Sequence, residues 1–181
     1  VAAVLNVPPP AGAKVYPFPV IQPTAANFEP YENCVPISSL KAAAGLWSEE
    51  QTDLGGLAEH AQDWAVLDEF KLNPGMFVAQ VVGQSMEPLV PSGSFCLFRP
   101  VPGGTKEGRK LLVWHEGLTD GETGGQYTLK AYHSDKVVGG DDSVAQKRIV
   151  LKPLNPAFQP IEIDESDEGA VRAVAEFVRV L

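Results

Sequence analysis

The sequence predicts a compact, mainly β domain of antiparallel strands, with a short helical segment and an extended Pro-rich N-terminal tail. Three observations predict it. From Met76 onward, seven short apolar or alternating runs follow one another: "MFVAQVVG", "SFCLFRP", "RKLLVWHE", "QYTLKAYH", "RIVLKP", "QPIEID" and "AVRAVAEFVRVL". Runs of this length and pattern suit half-buried strands. Between them lie "PSG", "VPGGTKEG", "DGETGG" and "VGGDDS", whose Gly, Pro, Asp and Ser residues favour turns. Finally, 181 residues with 44% apolar content supply one domain with a real core plus a tail, or at most two small domains.

The elements follow in chain order. Residues 1–30 read as a linker or tail, because Pro8, Pro9, Pro10, Pro17, Pro19, Pro23 and Pro30 break any helix and favour extended backbone. Val15, Tyr16 and Phe18 are its candidates for docking on the body. Residues 31–75 hold "ENCVPISSLKAAAGLWSEEQTDLGG", which mixes a short strand candidate with an Ala-rich run, and then a helical spacing through Leu57, Ala61, Trp64 and Leu67. Gly55 and Gly56 weaken the start of that helix. Residues 76–181 form the β domain. No internal repeat and no metal-type spacing is visible, and no cofactor is expected.

Charge and cysteines narrow the function. A net charge of −9, with 14 scattered Lys and Arg residues, argues against direct nucleic-acid contact, which needs clustered cations to neutralise phosphates. No apolar stretch approaches the roughly 20 residues of a membrane span, and no leader pattern opens the chain. Cys34 and Cys96 sit among apolar residues and read as buried free thiols rather than a disulfide framework. Together these features point to a cytoplasmic protein. A start at Val rather than Met reads as a fragment or processed form of something longer.

One stretch carries chemistry. In "VVGQSMEPLVPSGSFCLFRP" a strand ends at Gly83, and Ser85 follows at the mouth of a Pro-bounded turn. A serine hydroxyl is a weak nucleophile until a base stands beside it. His60, His115 and His133 are available but lack any triad-like context. Lys130, inside "QYTLKAYH", is a better candidate. A strand lysine either points to solvent or sits in an apolar pocket, and in the pocket desolvation favours the neutral amine that can accept a proton. Glu87 reads as a turn residue. The carboxylates Asp164, Glu165, Asp167 and Glu168 read as a solvated turn rather than a cation site. Trp47, Trp64 and Trp114 read as core or interface anchors.

In order along the chain, "GQSMEP", "PSGSFCLF", "YTLK" and "LKPLNPAFQPIEID" resemble the LexA/UmuD family of Ser-Lys self-cleaving peptidases, which includes SOS-response and phage repressors. The resemblance spans roughly Cys34 to Leu181. "GxSMxP" is shared with membrane-anchored signal peptidases, but "NPAFQPIEID" and the final apolar strand match the LexA/UmuD side better. The resemblance implies Ser85 as nucleophile and Lys130 as general base, with the backbone amides of Ser85 and Met86 stabilising the oxyanion. "GGTKEGRK" and "EGLTDGETGGQ" are longer connections than compact relatives carry. They are expected to change partner surfaces without threatening the chemistry.

The family cuts its own chain between a small residue and Gly upstream of the serine. Here Ala44-Gly45 in "SLKAAAGLWSEEQ" fits, so the chain's own segment is the expected substrate. The competing reading is an Ala-rich first helical turn. The resemblance further implies a homodimer through "AEFVRVL" and a regulatory role in a bacterial stress, DNA-repair or defence setting. Two other readings stay open. One is a non-catalytic interaction or dimerisation module of a larger helicase- or restriction-like protein, and the other is a peptidase acting on separate proteins.

Overall fold

The computed structural model describes residues 12, 14–48, 54–137, 146–164 and 171–181. Ten strands join into one sheet: β1 Val20–Ile21, β2 Cys34–Ser38, β3 Trp64–Val66, β4 Phe77–Val81, β5 Ser94–Arg99, β6 Lys110–His115, β7 Tyr127–Val137, β8 Gln146–Lys152, β9 Ile161–Asp164 and β10 Val171–Val180. Their order across the sheet is β1-β3-β2-β4-β5-β10-β6-β7-β8-β9. The pairs are antiparallel apart from β2 on β4, where Ile37 and Ser38 lie parallel to Val78 and Ala79. The seven runs read from the sequence are β4 to β10. Alternation sorts their side chains: Phe77, Ala79, Val81, Cys96, Phe98 and Leu112 enter the largest core cluster. Val78 and Leu97 enter a second cluster on the opposite face.

Among the described residues two helices complete the fold, α1 Leu40–Ser48 and α2 Gly56–His60. The Ser39 hydroxyl accepts the Ala42 amide at 3.0 Å, which satisfies one of the amides that a helix start leaves without a partner. Leu40, Ala43 and Ala44, spaced for one helical face, are buried. They press α1 against β4, β6, β7 and β10.

The helical spacing through Leu67 is overturned. The helix stops at His60, and Trp64–Val66 is β3, paired with both β1 and β2. Trp64 is buried with Cys34 and Ile21, so tertiary packing outweighs a weak helical period that two glycines precede. Of the other tryptophans, Trp114 packs against the largest core cluster, whereas the side chain of Trp47 lies outside the described residues.

Within the expected tail, residues 14–30 dock on the body. Tyr16 and Phe18 stack together and meet Phe95 edge-on, and Val20–Ile21 adds a strand to β3. Val15 stays exposed. The segment 1–11 lies outside the described residues.

β10 is not an outer strand, because the sheet places it between β5 and β6. Its first half pairs with β6 and its second half with β5. Among the described residues, Phe177–Val180 have a strand neighbour on one side. Arg99 on β5 reaches Glu176 on β10 at 2.7 Å and ties the two strands.

A turn launches β4. The Met76 amide donates to the Asn73 carbonyl, with Pro74 next and Gly75 at φ 86°, the pattern of a type II turn. A Cβ on Gly75 would stand 2.7 Å from Pro100 Cγ. Gly75→Ala is therefore expected to lower stability by at least about 1–2 kcal/mol, the left-handed backbone cost alone. Thermal denaturation reads this as a clear drop in Tm, and an unchanged Tm would mean the turn relaxes freely.

Candidate active site

β7 places Thr128, Lys130 and Tyr132 on one face and Tyr127, Leu129 and Ala131 on the other. Ser85 arrives from the turn after β4. The two meet: Lys130 Nζ lies 2.8 Å from Ser85 Oγ, and both side chains are buried. Lys130 Nζ also donates to Thr128 Oγ1 at 2.7 Å. The serine turn is clamped from outside. The Leu154 and Asn155 amides both donate to the Ser85 carbonyl, and Asn155 Nδ2 donates to the Gln84 carbonyl at 3.0 Å. The "LNP" stretch after β8 thus fixes the backbone at Ser85. Glu87 accepts the Ser92 amide and serves the turn, as expected.

The connection between β6 and β7, expected to alter partner surfaces, also enters the site. Asp120 is buried, and its Oδ1 accepts the Glu122 and Thr123 amides at 2.9 and 2.8 Å. Its Oδ2 accepts the Thr128 hydroxyl at 2.8 Å and lies 3.7 Å from Lys130 Nζ. Glu122 Oε2 stands 4.0 Å from the same nitrogen. Glu122 Oε1 accepts the backbone amides of Gln84 at 2.5 Å and Ser85 at 3.1 Å. The pair of amides converging on one oxygen is therefore Gln84 and Ser85. Met86, whose backbone amide the resemblance offers as a second donor, has its side chain in the core.

Two opposing effects act on Lys130. Burial pushes the ammonium below the ordinary lysine range, and the carboxylates of Asp120 and Glu122 pull it back without cancelling the shift. For Asp120, burial pushes upward, but the Thr123 amide, the Thr128 hydroxyl, the Lys130 charge and the Glu122 amide outweigh it. The carboxyl is held below its usual value. The result is a lysine that holds its proton less tightly than an ordinary one, hydrogen-bonded to a serine, with two convergent amides beside it. Such a set can activate a hydroxyl and stabilise an oxyanion.

No histidine lines this site; His133 is committed to Glu107 at 2.6 Å. Ala44 and Gly45 are not brought to Ser85. They lie in α1, with Ala44 buried, and Leu40 is the α1 residue lining the site. Cys34 and Cys96 are free and buried, and burial holds the Cys96 thiol up at about 12. Asp164 pairs with Arg148 at 3.0 Å, while Glu165, Asp167 and Glu168 lie outside the described residues. Among the described residues, no group of His, Cys, Asp and Glu side chains is placed to hold a metal ion, and no helix is long and apolar enough to cross a membrane.

Residues 36–178 match the Peptidase S24-like family. The chain belongs to the S24-like peptidase family. That match covers well over half of the sequence and agrees with the LexA/UmuD resemblance of the motifs. A search of curated proteins finds none that matches the chain. In this S24-like chain the sequence anticipated the serine and the lysine. It did not anticipate Asp120 and Glu122, whose only signal was an acidic, turn-forming "TDGETGG" connection just before the lysine strand.

Proposed function

We propose that this S24-like domain is a serine endopeptidase acting on its own chain, with Ser85 as nucleophile and Lys130 as general base. The observation that supports it most is the buried 2.8 Å contact between Lys130 Nζ and Ser85 Oγ. In the proposed reaction the neutral Lys130 amine accepts the Ser85 hydroxyl proton as Oγ attacks the Ala44 carbonyl. The Gln84 and Ser85 amides hold the resulting oxyanion. Collapse breaks the Ala44–Gly45 bond, and Lys130 returns the proton to the leaving Gly45 nitrogen. Water then hydrolyses the acyl-serine with Lys130 again as base. No cofactor enters these steps.

For this to occur, α1 has to unwind and present Ala44 in extended form, since a helical, buried peptide bond offers no face to a nucleophile. Tethering then replaces a bimolecular encounter, so a slow dyad can still cut its own chain. The regulated entity is an attached or partner protein in a bacterial stress, DNA-repair or defence setting. A homodimer through the open side of Phe177–Val180 fits this role. The packed state of α1 favours a second reading, a non-catalytic interaction module of a larger helicase- or restriction-like protein that uses α1 for docking.

Intact mass followed over time at neutral and mildly alkaline pH, with Ser85→Ala alongside, separates the two. Peptidase action predicts splitting between Ala44 and Gly45 in the parent alone, with a half-time independent of protein concentration. Equal behaviour of parent and variant under every condition favours the docking module. A half-time that shortens with concentration indicates cutting between molecules.

A further inference from the structure

The loop between β6 and β7 does more than decorate the site. We infer that Glu122 is a resident occupant of the oxyanion seat, a built-in inhibitor that must withdraw before Ser85 can react. This rests on the dyad reading above and extends it to how the site is held off.

Four features of the molecule carry it. First, one carboxylate oxygen of Glu122 accepts both the Gln84 and Ser85 amides, the donors that the developing oxyanion of a substrate would require. A carboxylate is a charged acceptor and binds two amides more strongly than a neutral carbonyl does, so a resting substrate carbonyl competes poorly for the seat. Second, the cradle is shaped for it. Gly83 has φ 119°, and a Cβ there would stand 2.8 Å from Glu122 Cδ and Oε1; only a residue without a side chain lets the carboxylate in. Third, the loop is preorganised. Asp120 accepts the Glu122 and Thr123 amides, the Gly124 amide donates to the Asp120 carbonyl, and Thr123 Oγ1 donates to the Tyr127 carbonyl. Glu122 is thus delivered by a built turn and is not a wandering surface side chain. Fourth, the space left is small. The cavity over Ser85, lined by Leu40, Val82, Glu122 and Thr123 among others, is about 20 Å³, about the room for a single water.

The same side chain also acts on the base. Asp120 and Glu122 are the charged groups facing Lys130 in the site; α1 contributes Leu40 there, β4 Val81, and the residue after it is Val82. Withdrawal of Glu122 therefore frees the seat and removes one of two charges that favour the ammonium. One movement switches on both halves of the machinery.

A fluorophosphonate probe tests this without requiring α1 to unwind and present Ala44. Ser85 Oγ bonds to phosphorus, the P–F bond breaks, fluoride departs and the hydroxyl proton passes to Lys130; the phosphoryl oxygen needs the seat that Glu122 fills. In the full chain, Glu122→Ala is expected to label Ser85 at least about tenfold faster than the parent. Its pH-rate midpoint should shift downward. Glu122→Gln, which keeps the volume but offers a neutral acceptor, should also gain, by less, and decides the matter if the Ala variant loses its cooperative melting transition. Ser85-specific labelling at the parent rate or slower in both variants overturns the inference while leaving the dyad standing. Absence of Ser85 labelling in all three proteins overturns the dyad, and the inference with it.

Discussion

Lys130→Met is expected to slow Ser85-dependent chemistry by roughly 10²–10⁴-fold, the usual worth of a positioned general base. Methionine keeps most of the stem's volume among Leu129, Thr128 and Met86, so the fold should survive. What disappears is the amine 2.8 Å from Ser85 Oγ. The pH dependence gives a second signature. Lysine acts as a base only after losing its proton, so the parent's rate rises with pH through the Lys130 pKa. Burial holds that pKa below the ordinary lysine value against the opposing pull of Asp120 and Glu122, and the rising limb should lie correspondingly below about 10.4. In Lys130→Met that limb should vanish. Fluorophosphonate labelling of Ser85 across pH measures both effects. A variant within about threefold of the parent, with its limb intact, would assign the base to another group.

The second large effect falls on stability. Phe98→Ala should destabilise the domain by about 3–5 kcal/mol, the range for deleting a fully buried aromatic side chain. Phe98 has no exposed surface. Its ring stacks on Phe77 at 5.2 Å between centroids and meets Phe177 at 6.2 Å, joining β4, β5 and β10. The serine turn runs between two of these strands, β4 and β5. Against a typical total stability of 5–15 kcal/mol, such a loss should move the urea midpoint far down with the slope unchanged. A shift worth under about 1 kcal/mol would show that this face is loosely packed.

The strands from β4 to β10 were legible because alternation and turn chemistry agree along that part of the chain. Leu111 and Val113 alternate against Leu112, and Gly-rich segments separate the runs. The region before β4 was harder. Leu57, Ala61, Trp64 and Leu67 keep a helical period, yet Trp64 is claimed by β1 and β2 on either side of β3, and local spacing carries no information about such partners. The Pro-rich stretch misled in the same way. Proline forbids helix but permits an extended segment to lie on a sheet, and Tyr16 and Phe18 find Phe95 there. At Ala44–Gly45 both sequence readings were open, and the structure holds the helical one, because Leu40, Ala43 and Ala44 share a buried face.

What the sequence by itself determined was the β class of the domain, and which serine turn and lysine strand to look for in it. Each of these rests on short-range pattern: a glycine ending a strand, a hydroxyl in a turn, a lysine among apolar neighbours. What only the tertiary structure decided was the state of the site. Ser85 and Lys130 are brought into contact by strand order. Asp120 and Glu122 reach them because a loop between β6 and β7 folds back across the end of β4. The distance from Glu122 to the Ser85 amide is set by the loop's own hydrogen bonds and the missing side chain at Gly83. A carboxylate in a turn carries no mark of whether it faces water or two backbone amides, and only the packed molecule makes that choice.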